Sequence, residues 1–122
     1  MIKSVEFKLN GIQYNVVPNF KVIAMWEEKI DVDWMRQRII EGKAFPMKDA
    51  AYLIYCAVWH GQDDKSKRLD YNEIGDWLVE NQREGGRVSA ELILNALTAG
   101  SEEARPKKQK PTAEQSKSES KE

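Results

Sequence analysis

One cysteine and one histidine stand in a chain of 122 residues, and each scarcity removes a class of chemistry. With Cys56 alone there is no intramolecular disulfide and no multi-cysteine zinc site. With His60 alone there is no multi-histidine metal site. Neither sign of charge is in excess: 19 basic and 20 acidic residues give a net charge of -1, whereas a non-specific nucleic-acid binder shows a basic surplus. No apolar run approaches the ~20 residues that span a bilayer, and the opening MIKSVEFKLNG lacks the apolar stretch of a secretory signal. No phosphate-cradling glycine motif follows a strand, and the run from Asp63 to Glu73 lacks the D-x-[DN]-x-[DN]-G pattern of a calcium loop. These absences predict a single domain in a reducing cytoplasm, with no cofactor, metal, small-molecule substrate, nucleic acid or membrane as its partner.

What the chain does have is one strongly apolar stretch, FPMKDAAYLIYCAVWHG, from Phe45 to Gly61. Met47, Ala50, Ala51, Ile54, Ala57 and Val58 recur at helical spacing, and Leu53, Tyr55, Cys56 and Trp59 fill the flanks. A helix apolar over so much of its circumference is covered on several sides. Pro46 suits its first turn, Asp49 the positive end of its dipole, His60 the negative end, and Gly61 its stop.

Ahead of it, Val5, Phe7 and Leu9 alternate with Glu6 and Lys8, and Ile12, Tyr14 and Val16 alternate with Gln13 and Asn15. Asn10-Gly11 lies between, the preferred pair for a two-residue type I′ turn. The turn sets Leu9 opposite Ile12, Phe7 opposite Tyr14 and Val5 opposite Val16, with all six on one face. A lone hairpin is marginal in water, so that face must rest on helices. Asn19 can cap a helix with the stripe Phe20, Ile23, Trp26 and Ile30. Asp31 and Asp33 offer the cap of a short helix from Trp34 to Glu41, closed by Gly42.

Beyond the central helix, GQDDKSKRL is a charged loop. Asp70 and Glu73 match a capping box ahead of a helix with Ile74, Trp77, Leu78 and Asn81 on one face. Gly85-Gly86 is expected to break it, and a last helix from about Ser89 to Gly100 carries Ala90, Ile93, Leu94 and Leu97. From Ser101 to Glu122 there is no apolar residue larger than alanine apart from the prolines, and ordering each residue costs ~1–2 kcal/mol of backbone entropy. A disordered tail is expected there. It holds six basic and five acidic residues, leaving 13 and 15 for the folded part. The expected fold is therefore α+β: an N-terminal antiparallel β-hairpin packed on a bundle of about four to five helices over residues 1–100, with a disordered charged tail over 101–122.

The residues give chemistry little to work with. His60 at a helix end reads as a C-terminal cap, and Cys56 inside an apolar helix reads as core, since a nucleophile wants an exposed electropositive setting with a base beside it. Their spacing of four allows contact on a helix. Glu27-Glu28 and Asp63-Asp64 read as solvated acids. Trp26 and Trp77 fall on buried stripes, whereas Trp34, with Met35, Ile39 and Ile40 on a short amphipathic segment, is the candidate partner-binding surface. A non-catalytic binding or assembly protein is expected.

The order of segments resembles the tail assembly chaperones of long-tailed (siphovirus-type) bacteriophages over roughly residues 3–100. The strand pair VEFKLNGIQYNVV comes first, then FKVIAMWEEKI, then the apolar AAYLIYCAVWHGQ. After a charged loop come LDYNEIGDWLVEN and AELILNALTAG, which leads into a polar C-terminus. The resemblance implies a protein of the host bacterial cytoplasm, absent from the mature virion, that binds the tape measure protein, keeps it soluble and recruits tail tube subunits. It also implies self-association and a longer frameshifted product, with Lys107-Lys108 compatible with an A-rich slippery heptamer. The alternatives are a structural morphogenesis subunit (head–tail connector or tail terminator) and, ranked below it, a regulatory DNA-binding protein.

Overall fold

A computed structural model describes residues 3–104, with side chains described as far as Ala96. The expected tail from residue 105 onward lies outside the described residues. Strands β1 (Val5–Leu9) and β2 (Ile12–Val16) pair antiparallel with Val5 opposite Val16, Phe7 opposite Tyr14 and Leu9 opposite Ile12. The turn forms as its residue types dictate, with φ of 52° at Asn10 and 82° at Gly11, the left-handed region that Asn and Gly tolerate. The Phe7 and Tyr14 rings stack at 5.3 Å between centroids. Five of the six inward positions are buried; Ile12, beside the turn at the hairpin's tip, stays 40% exposed.

Five helices follow: α1 (Phe20–Lys29), α2 (Val32–Ile40), α3 (Met47–His60), α4 (Tyr71–Glu80) and α5 (Gln82–Ala104). The architecture is α+β, a two-stranded hairpin on a helical bundle. Helix α3 is its axis and packs against α1, α4, α5 and β2. Ala51, Leu53, Ile54, Cys56, Ala57 and Val58 are all essentially inaccessible, and each large apolar side chain among them contributes roughly 1.5–3 kcal/mol. Trp26 from α1 is equally buried and satisfies its indole N–H by donating to the Leu53 carbonyl at 3.2 Å.

The caps are specific. Asn19 Oδ1 accepts from the Val22 N–H at 3.1 Å, while its Nδ2 donates to the His60 carbonyl at 2.9 Å, so one side chain closes the start of α1 and the end of α3. Asp31 caps α2 by accepting from the Trp34 N–H, and the helix begins at Val32, two residues ahead of its expected start. Asp70 caps α4 by accepting from the Glu73 N–H at 2.8 Å. Beside the Asn19 junction, the Val17 N–H donates to the Gly61 carbonyl at 2.7 Å. A Cβ at Gly61 would lie 2.6 Å from the carbonyl oxygens of both Ala57 and Val17, so the approach of β2 to the end of α3 needs a residue without one.

Several positions differ from expectation. Phe20 is 84% exposed, and Val22 takes its place in the core: the first residue of the helix overhangs the end of the bundle, so the buried stripe starts at Val22, later in the same turn. Met47 is likewise exposed at the first residue of α3, and Phe45 and Pro46 precede that helix. Gly85-Gly86 does not break the chain. Helix α4 ends at Glu80, Asn81 turns the backbone, and α5 starts at Gln82 and runs straight through both glycines to Ala104, past Gly100. A Cβ on Gly85 would fall on the Leu78 δ-methyl, so this glycine serves a close contact between α4 and α5. Ser89, expected near the helix start, lies in its second turn, buried, with its hydroxyl donating to the Gly85 carbonyl at 2.8 Å. The buried face of α5 is Val88, Leu92, Ile93 and Ala96, with Ala90 and Leu94 half-buried beside it. Leu97's side chain lies outside the described residues.

Candidate functional site

The four residues expected to meet a partner divide between two sides of α2. Val32, Met35 and Ile39 are spaced i, i+3, i+7 and face the bundle. Met35 is completely buried, which removes it from any accessible surface, and Ile39 is half-buried against the core. Trp34 and Ile40 are outside, 44% and 58% exposed. Nine residues carrying apolar side chains nearly all round hold too little periodicity to say which face turns in, hence the error at Met35. The Arg38 guanidinium sits 5.2 Å from the centroid of the Trp34 ring. Its Nε also donates to the Ala44 carbonyl at 2.7 Å, fastening the α2–α3 connection to α2.

That connection shapes an open groove of about 470 Å³ between α2, the first turns of α3, and the α4–α5 junction. Ile39, Phe45, Met47 and Leu78 supply its apolar lining, and Ala50, Gly86 and Ala90 add small residues that let a partner backbone come close. Phe45 and Met47 are absent from the expected set because Met47 falls on the apolar stripe expected for the central helix and Phe45 opens the same stretch. Their place just before and at the helix start, where Phe20 also turns out, is the signal that would have found them.

The two reactive residue types are held apart from this groove. Cys56 is wholly buried; burial pushes its thiol up to about 11, against a lowering by the Tyr52 hydroxyl and Lys29. A thiol in that range is protonated at neutral pH. Among the described residues no hydrogen bond joins Cys56 to His60. Burial holds the His60 imidazole below its ordinary value, helped by the positive charges of Lys21 and Arg68. Its expected capping role passes to Asn19, whose Nδ2 donates to the His60 carbonyl, and to the Gly61 N–H, which donates to the Ala57 carbonyl. Among the described residues no group of three or more His, Cys, Asp or Glu side chains could hold a metal ion, and no helix is long and apolar enough to cross a membrane. Comparisons with protein-family models, curated proteins and solved structures found no match to this chain.

Proposed function

We propose that this chain is a non-catalytic tail assembly chaperone of a long-tailed bacteriophage. In this reading it binds the tape measure protein in the host cytoplasm, keeps it soluble and presents it to tail tube subunits. The order of elements supports the reading, because hairpin, first helix, apolar helix, charged loop, capped helix and final helix come in the order on which the resemblance rests, with the short α2 as an addition between the first helix and the apolar one. The observation that carries it is the open groove with Ile39, Phe45 and Met47 on its walls and the exposed Ile40 next in sequence. An apolar depression beside charged surface suits an amphipathic helix laid into it.

Co-expression with the proteins encoded next to it tests the proposal. A long helical neighbour that is insoluble alone becomes soluble and co-purifies with this chain. Because Ile40 and Met47 are both exposed, Ile40→Asp with Met47→Asp leaves the melting curve intact and cuts that co-purification by roughly tenfold or more, as loss of central apolar contacts does. Unchanged capture by the double variant refutes the groove. Absence of any solubilised neighbour, with the protein present in purified particles, makes it a structural subunit instead.

A further inference from the structure

A second depression, of about 390 Å³, lies where the end of α1 and the start of α4 meet α3. Tyr52 and Tyr55, three apart on α3, wall it together with Tyr71 of α4. The Tyr52 and Tyr55 rings stack at 6.2 Å between centroids, and Tyr71 meets Tyr55 edge-on at 6.1 Å. Two of the hydroxyls are anchored in the main chain: Tyr52 donates to the Met25 carbonyl at 3.3 Å and Tyr71 to the Lys48 carbonyl at 3.0 Å. These rings are therefore positioned before any ligand arrives. Ile30, nearly inaccessible, adds an apolar wall.

The charged lining is two ammonium groups, Lys29 and Lys48, and one carboxylate, Asp49. Glu28, the carboxylate that acts on Tyr52, is not part of the lining. Neither lysine enters an ion pair among the described residues. Lys29 sits over the Tyr52 ring, 5.6 Å from its centroid. Lys48 stands in the first turn of α3, where the helix dipole disfavours a cation, whereas Asp49 in the same turn is already favoured by it. Anchored tyrosines offer a large contact area at small entropic cost, and unpaired rim charges select the partner.

We propose that this cleft docks an acidic segment of a partner protein. An apolar or aromatic side chain enters between Tyr52 and Tyr71, and flanking carboxylates meet Lys29 and Lys48. A basic segment would meet two ammonium groups, and an uncharged one would leave both lysines unused. The cleft shares no lining residue with the groove beside α2, and the inference stands whatever becomes of the chaperone reading.

Fluorescence anisotropy of the full-length protein tests it with a short labelled helix-forming peptide that sets one tryptophan among glutamates, beside its counterpart with lysines. The acidic peptide binds, the lysine counterpart does not, and raised salt weakens the complex. Lys29→Glu with Lys48→Glu, both exposed, keeps the far-ultraviolet spectrum and weakens binding by roughly tenfold or more; Tyr71→Ala, with the lysines intact, also weakens it. Equal or tighter binding of the lysine peptide overturns the proposal in favour of an aromatic cage for cations. Binding of the acidic peptide that both variants leave unchanged overturns it as well, as does failure of the acidic peptide to bind at all. Dimers that dissociate on the double reversal assign the cleft to a second copy of this chain and likewise overturn it.

Discussion

The two ends of α3 are built on opposite plans. At its C-terminal end almost every polar group is committed to this chain. The His60 carbonyl accepts from Asn19, the Gly61 carbonyl from the Val17 N–H, and the Trp59 carbonyl from Arg68 Nε at 3.0 Å. The Trp59 indole N–H donates in turn to Leu69, and the Arg68 guanidinium lies 5.0 Å from the Trp59 ring centroid. At the N-terminal end no side chain caps the helix, Met47 is exposed, Lys48 is unpaired among the described residues, and two depressions open on either side. One end is spent on holding the fold, and the other keeps its apolar and charged groups available. A single helix thus carries both stability and recognition by separating them along its length.

That contrast can be broken at the tied end first. Gly61→Ala forces a methyl against two carbonyl oxygens, neither of which is free to swing away; denaturant melts should show a loss of about 3 kcal/mol, the upper range for overpacking. An unchanged midpoint would mean that β2 and α3 are less tightly joined than the 2.7 Å bond from Val17 implies. Asn19→Ala removes the α1 cap and the bond to His60 together, with an expected cost of about 1–2 kcal/mol. Asn19→Ser, which restores a cap but not the reach to His60, should recover part of it. At the open end the sign reverses. Lys48→Gln relieves an unfavourable charge–dipole contact and should raise stability by about 0.3–1 kcal/mol. In the same variant the acidic peptide should bind more weakly. A destabilised Lys48→Gln protein would erase the distinction between the two ends.

How much of this could be read from the chain depends on whether the deciding contact is local. The hairpin could be read in full because Asn10-Gly11 and the alternation on either side are independent local signals that agree on one register. The Asn19 and Asp70 caps are local too. Phe20 and Met47 could not be placed, since each begins a helix and a 3.6-residue period does not say where the covering neighbours stop. Gly85 was opaque for a different reason: its role is set by Leu78 across a helix pair, and a glycine pair in isolation reads as a break. The candidate surface shows the same division. Trp34 and Ile40 are outside and Met35 is inside because Val32, Met35 and Ile39 together form the inward stripe. The tyrosine cleft draws on α1, α3 and α4, which no single window of sequence brings together.

The junction of Val17 with Gly61 also fixes an order of events during synthesis. A hairpin closes in ~1–10 μs, but a ribosome adds only ~5–20 residues per second. Tyr14 and Val16 on β2 are therefore made, paired and left without their helical cover for several seconds until α3 emerges, and Phe7 on β1 waits longer still, for α5. A two-stranded ribbon is marginal by itself, so throughout that interval the N-terminus forms and dissolves repeatedly. The arrival of Gly61 gives the ribbon its first fixed attachment, and its cover is complete only when α5, which packs against β1, has been made.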